Sequence, residues 1–279
     1  MTRHWTAIPN FVDCEVFKPL AESRQAIRTK LGIPDDAFVV GCVAAVKKHH
    51  KRIDYLIREF ARLNNGEKRI TNIDIQDRQD RELDPIIPKQ SCISCPSMLN
   101  PYLLIAGAKT DETAELLALA ESLIPGRYKI MTDCGRAQMP DVLRAMDVFV
   151  LTSLFEMMPI ALLEALASGL PCVVHAQPVL EWMTGAKDDN RLSVNGSRLF
   201  KNPANNQEQI THNSVGGMAI DMSQDGTLTQ VLAGLTSEWI ALHGRQARDR
   251  ALRLFSAEIV IHQYVKYYQK VLIDEEDYK

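Results

Sequence analysis

The 279-residue chain has no apolar run approaching about 18 residues, so no membrane-spanning helix is expected. Its start, MTRHWTAIPN, lacks the apolar stretch of a secretory signal, and a cytoplasmic location is the default expectation. Strong charge of one sign is missing too. A formal net charge of −3 gives no global pull towards nucleic acid or anionic lipid, so any basic site has to be local. The chain has six cysteines, Cys14, Cys42, Cys92, Cys95, Cys134 and Cys172. Cys92 and Cys95 have the spacing of half a zinc site, but no second pair follows to supply the four ligands such sites use. They read better as thiols of a flexible loop, and Cys42 and Cys172, in apolar strand-like runs, as buried thiols. No carboxylate cluster resembles a magnesium site, and no metal is expected. No internal repeat is visible.

What is present is a chain 46% hydrophobic and 24% charged, long enough to bury a sizeable core. FVVGCVAAV (38–46) is a continuously apolar, β-branched run, as in a strand covered on both faces. In RIDYLIREFARL, Ile53, Leu56, Ile57, Phe60 and Leu63 fall on one helical stripe. Further on, YLLIAGA, RYKIMT, VFVLTS, PCVV and GGMAIDM read as strands. DETAELLALAESLI and QMPDVLRAMD read as the intervening helices, with Pro140 suited to a first turn. The chain closes on TLTQVLAGLTSEWIALH, QARDRALRLF and AEIVIHQYVKYYQKVL, and residues 257–279 form its C-terminal helix and tail. Such alternation predicts an α/β fold with a Rossmann-like, doubly wound parallel sheet. Two polar stretches without steady period, 64–100 and 186–213, read as inserted loops. The whole chain, 1–279, is read as one domain.

The most informative stretch is LTSLFEMMPIALLEALASGLPCVV, residues 151–174. Its helix is apolar on every side and therefore buried, yet carries Glu164, and Glu156 precedes it at the carboxyl edge of the sheet. A buried ionised carboxylate is costly without hydrogen bonds or a charge partner. Glu164 is thus a core carboxylate paired with Arg or Lys, a Glu near the rim of the helix, or a ligand contact. Pro159 suits the first helical position, and the amides near Ile160 and Ala161 then point out of the helix N-terminus, an end that attracts anionic or hydroxyl-rich ligands.

Strand, Glu, seven residues and Glu in EALASGLP resemble the E-x7-E region of the family-4 retaining glycosyltransferases, GT-B enzymes that use nucleotide-sugar donors. IPNFVDCEVFKP (8–19), VGCVAAVKKHHKRIDYLIREF, LLIAGA and MPDVLRAMDVFVLTSLFE resemble further family blocks in the same order. Together they cover most of residues 8–271 outside the two loops.

The resemblance implies the C-terminal, donor-binding half of a GT-B hexosyltransferase, with a nucleotide-diphosphate sugar as substrate and no cofactor or divalent metal. It implies that Glu164 holds the ribose hydroxyls and Glu156 the hydroxyls of the transferred sugar. The family's diphosphate is held by an Arg and a Lys after the first strand. The Lys matches Lys51, and the Arg position reads Ala45, which leaves Lys47 and Lys48 as candidates for the missing charge. The plain alternative for KKHHKR is a solvated basic loop. EMMP stands where the family commonly has EGFG, so Met157, Met158 and Ile160 have to supply the backbone contacts. The base is placed against TDCGR, with Thr132, Asp133 and Gly135. Glu181 is either a sugar or phosphate contact or a surface carboxylate.

The family's N-terminal half binds acceptor and contributes a catalytic histidine. None of His4, His49, His50 and His175 matches that role by position. The expectation is a donor half that binds nucleotide sugar weakly and transfers little by itself. Its partners are the nucleotide sugar and an acceptor-binding domain, not nucleic acid, and any membrane association comes through that other half. Two other readings stand: a non-catalytic nucleotide-sugar-binding or interaction module, and a GT-B-type nucleotide-sugar epimerase. Limited proteolysis tests the domain map. The first cuts are expected within 64–100 or 186–213, and early cuts within 38–63 would overturn it.

Overall fold

The computed structural model describes residues 6–64, 100–186, 193–194, 197–198 and 215–276. In chain order these form α1 (Ala21–Leu31), β1 (Phe38–Val43), α2 (Ile53–Asn64), β2 (Pro101–Ala106), α3 (Thr113–Leu123) and β3 (Tyr128–Met131). Then come α4 (Met139–Arg144), β4 (Val148–Leu151), α5 (Ile160–Ala167), β5 (Cys172–His175) and α6 (Pro178–Thr184). A small antiparallel ribbon, β6 (Ser193–Val194) and β7 (Ser197–Arg198), precedes β8 (Gly217–Ile220), α7 (Thr227–Ala233), α8 (Ser237–Arg250) and α9 (Ala257–Glu276). Apart from their ends and this ribbon, the expected loops 64–100 and 186–213 lie outside the described residues, as do Cys92 and Cys95.

The main sheet is parallel throughout, in the order β3-β2-β1-β4-β5-β8. That is the doubly wound arrangement anticipated from the alternation, and its order reverses between β1 and β4. Successive strand residues feed opposite cores, as strand geometry requires. Val39, Phe149, Leu151, Cys172 and Val174 face α1, α4, α5 and α6. Val40, Cys42, Val148, Val150 and Val173 face α2, α3 and α7. Cys42 and Cys172 are buried thiols, and burial pushes Cys42 up to about 12.

Several boundaries differ from the sequence reading. β1 stops at Val43 rather than Val46, where its ladder with β2 ends at Ala106, although the amides of Ala44 and Val46 still reach the carbonyls of Ala106 and Ala108. Pro159 is the N-cap of α5 (φ −70°, ψ 122°), not its first residue, and its carbonyl accepts the amides of Leu162 and Leu163. Gly169 ends that helix as expected, at φ +73°, with Gly169 N–H on the Leu166 carbonyl and Leu170 N–H on that of Ala165. TLTQVLAGLTSEWIALH is two helices, since Thr236 caps α8 by accepting the Trp239 amide. QARDRALRLF, in contrast, completes α8 and one following wide turn.

Helix α1 has no counterpart in the sequence reading, since polar contacts anchor it more than an apolar stripe does. Buried Arg28 donates to the carbonyls of Ala37 and Ala145 (both 3.0 Å) and pairs with Asp147 at 2.7 Å. Asp147 also accepts the Val39 amide of β1. A second polar anchor is Glu59 on α2, fully buried. Its carboxylate accepts the amides of Gly226 (2.7 Å) and Thr229 (3.0 Å) and the Thr229 hydroxyl (2.9 Å), capping α7 from another helix, and pairs with Arg62. Glu59→Ala orphans those donors, and a loss of about 2–3 kcal/mol is expected in urea denaturation. An unchanged midpoint would overturn this account.

Candidate functional site

Where the strand order reverses, the segments leaving β1 and β4 part and open a cleft of about 310 Å3. Val43, Ala44 and Ala45 line one side, with Lys51 beyond them; Leu151, Glu156, Pro159, Ile160 and Ala161 line the other. Gly107, after β2, forms the floor, and a Cβ there would lie 1.8 Å from the Ala44 carbonyl oxygen. Only glycine fits beneath this backbone crossing.

The basic loop 47–52 is strained. His50 (φ 70°) and Arg52 (φ 53°) both occupy the left-handed region without being glycine. Tertiary contacts hold them. Arg52 lies over the Tyr55 ring at 4.0 Å and donates to the Met222 carbonyl at 2.6 Å. His50 Nε2–H donates to the Phe155 carbonyl at 2.7 Å. The buried Thr152 hydroxyl, just past β4, donates to the Lys51 carbonyl at 2.7 Å. As a result the Lys51 ammonium faces the cleft and meets Glu156 Oε1 at 2.5 Å, with both side chains largely buried.

Glu156 is also held by its backbone. Gln177 accepts the Glu156 amide with Oε1 (2.9 Å) and donates Nε2–H to the Glu156 carbonyl (2.5 Å). Below it, Ile160 and Ala161 begin α5, and as its first residues their amides have no intrahelical acceptor. Glu164 lies one turn on, on the same helical face as Ile160. It is only 7% exposed, and no described residue donates a hydrogen bond to its carboxylate. Burial pushes its pKa up, and the positive field of Arg136 opposes the shift. The core-pairing alternative with Arg or Lys is therefore not formed among the described residues; Arg136 acts through space.

Other anticipated residues fall in different places. Thr132 is half-buried, while Asp133 and Gly135 are exposed on the loop after β3, whose Arg136 turns its field on Glu164. Gly135 has φ −69° and open space about it, so no backbone demand fixes glycine there. Lys48 turns to α3: its amide donates to Glu112 and its ammonium pairs with Glu115, both at 2.6 Å. Lys47 is half-buried in the loop and does not line the cleft. Met157 is 80% exposed, and Met158 is tied by its carbonyl to Asn10 at 3.2 Å. Glu181 is buried in the first turn of α6, so the surface alternative for it is corrected. His175 accepts the Met222 amide on Nδ1, which leaves its proton on Nε2, and burial lowers its pKa. His4 lies outside the described residues. Thr152, Gln177 and Arg136 escaped the sequence reading because their roles are contacts across 21 or more positions or act through space.

Among the described residues no group of three His, Cys, Asp or Glu could hold a metal ion, and no helix is long and apolar enough to cross a membrane. The site instead gathers an ammonium, free helix amides and two carboxylates, a set that suits a ligand with both phosphate and hydroxyl groups.

The raised Glu164 pKa has a consequence for stability. Between its unfolded and folded pKa values the native state binds more protons, so stability falls as pH rises through that window. Glu164→Gln is expected to raise the melting temperature at pH 7.5, an effect that fades towards pH 4. A lowered midpoint at neutral pH would show that the carboxylate is satisfied.

Residues 93–210 match the family model described as glycosyl transferases group 1. Over 39 residues the chain is 59% identical to the UDP-Gal:alpha-D-GlcNAc-diphosphoundecaprenol alpha-1,3-galactosyltransferase of Escherichia coli, covering 14% of this chain and 10% of that protein. It is 26% identical over 170 residues to EpsF of Bacillus subtilis (strain 168), which carries a provisional glycosyltransferase name; the match covers 60% of this chain and 35% of that one. HepE of Anabaena, crystallised with UDP and glucose, superposes with a TM-score of 0.65 at 17% identity over 94% of this chain and 56% of HepE. The same protein has also been solved with UDP and with UDP-glucose. The chain thus spans about half the length of HepE, and its fold is that of GT-B glycosyltransferases. The family match, over residues 93–210, and the fold together support a glycosyl transferases group 1 domain in that part of the chain.

Proposed function

We propose that this chain is the donor-binding half of a retaining, metal-independent hexosyltransferase, and that its donor is a UDP-linked sugar. The observation that carries this reading is the Lys51–Glu156 pair, set in a cleft at the open N-terminus of α5 with Glu164 one turn beyond. The UDP complexes of HepE and the UDP-galactose specificity in the name of the Escherichia coli relative favour uridine.

In this reading Glu164 accepts both ribose hydroxyls, a matched donor pair for one carboxylate. Lys51 and the amides of Ile160 and Ala161 hold the diphosphate. Its arrival takes Lys51 away from Glu156, and the hydroxyls of the sugar then compensate Glu156. As the glycosidic bond breaks, charge grows on the departing diphosphate, and the same ammonium and amides stabilise it. The incoming acceptor attacks on the face the diphosphate leaves, and the acceptor-binding half of the enzyme positions it. The loop 132–136 borders the base, and Lys47 adds only long-range charge.

Ala45, in place of the family's phosphate-binding arginine, favours a second reading, a binding module without transfer chemistry. Single-turnover transfer in the presence of an acceptor-binding half separates the two.

Calorimetric titration with UDP, GDP and ADP, each with and without an attached hexose, tests the proposal. Binding to the uridine series is expected, and Lys51→Ala should weaken UDP about tenfold or more while leaving uridine affected little. Preference for another base would overturn the donor assignment. Equal losses for UDP and uridine would overturn the role of Lys51.

A further inference from the structure

The side chain of Gln177 is spent in an unusual way. Gln177 is the N-cap of α6, yet makes no capping bond to its own helix. Its amide group instead forms a two-point clamp on the backbone of Glu156, 21 residues earlier, accepting the N–H at 2.9 Å and donating to the C=O at 2.5 Å. Both bonds fall on one residue, so they fix the two peptide units that flank its Cα, as a strand partner would. The segment clamped has few apolar anchors: Phe155 is 63% and Met157 80% exposed. Of its other tethers, His50 holds the Phe155 carbonyl, the far end of the same 155–156 peptide unit, and Asn10 holds the Met158 carbonyl, while Gln177 takes both the N–H and the C=O of Glu156.

We infer that Gln177 is a positioning residue for the sugar subsite: it aims the Glu156 carboxylate into the cleft and thereby sets how much the sugar adds to donor affinity. The inference rests on the reading of Glu156 given under the proposed function. Lys51 and Glu164 are carried by other elements, the β1–α2 loop and α5, so the clamp governs the sugar contribution and leaves the nucleotide contribution in place. The Glu156 backbone is thereby held independently of its side chain, which pairs with Lys51.

Calorimetric titration of the full chain with UDP and UDP-glucose tests this. The wild-type protein is expected to bind UDP-glucose more tightly than UDP. Gln177→Ala should remove about fivefold or more of that advantage while UDP affinity stays within about twofold. In a Glu156→Ala background the Gln177→Ala change should add nothing, which a general loosening of the fold would not produce. Gln177→Glu keeps the size and the acceptor but loses the donor; it is expected to fold and to lose most of the advantage. A sugar advantage that survives Gln177→Ala, a parallel loss of UDP binding, or additive effects with Glu156→Ala would each overturn the clamp. A wild-type protein that binds UDP but gains nothing from the sugar would overturn the role of Glu156 and the clamp with it. No binding of either ligand would overturn the donor reading as a whole.

Discussion

A lysine and a glutamate, both largely buried, meet across the gap where the sheet changes direction, and the site is organised around that pair. Lys51 arrives from the β1 side and Glu156 from the β4 side, so the ion pair joins the two halves of the sheet at the point where no strand hydrogen bonds can. Removing one partner from such a pair typically costs about 3–5 kcal/mol, because the other charge is left buried. The two residues therefore have a strong physical reason to stay together until something replaces each partner. Under the proposed function a diphosphate sugar would do both at once, with phosphate for Lys51 and hydroxyls for Glu156. A free phosphate satisfies only one side.

The same constraint separates the carboxylates of the molecule into two kinds. Glu59 is fully buried and fully engaged, by two amides, a hydroxyl and Arg62. Asp147 is likewise consumed by Arg24, Arg28 and the Val39 amide at the amino end of the sheet. These groups hold elements together and have nothing left to offer. Glu164 is almost as buried but accepts no hydrogen bond from a described residue, and its proton affinity is raised accordingly. Its carboxylate is thus the one of these that keeps acceptor capacity beside the cleft. Strain is placed in the same way, with two left-handed non-glycine residues in the loop that carries Lys51.

Much of this was legible in the residues. The β/α alternation, the buried character of α5, Gly169 at its end and the placing of Glu156 and Lys51 at the carboxyl edge all follow from short-range patterning, which depends on periodicities of about 2 and 3.6 residues. What was misread is as instructive. Helix α1 was passed over because a salt-bridged arginine, not an apolar stripe, anchors it. Pro159 was placed one residue too far into its helix, because φ near −65° suits both an N-cap and a first residue and only ψ distinguishes them. Lys48 was grouped with the phosphate residues from its neighbourhood in the chain, but the turn of the loop delivers it to Glu115.

By itself, then, the order of residues determined the fold class, the position of the cleft along the chain and the chemistry of its principal groups, since these rest on local periodicity and on residue type. Only the tertiary structure decided which groups meet: that Lys51 faces Glu156, that Gln177 abandons its own helix to clamp Glu156, and that Glu164 has no donor among the described residues. Those outcomes depend on how segments 21 to 105 residues apart are brought together by the packing of the sheet, and no spacing in the sequence encodes a contact of that range.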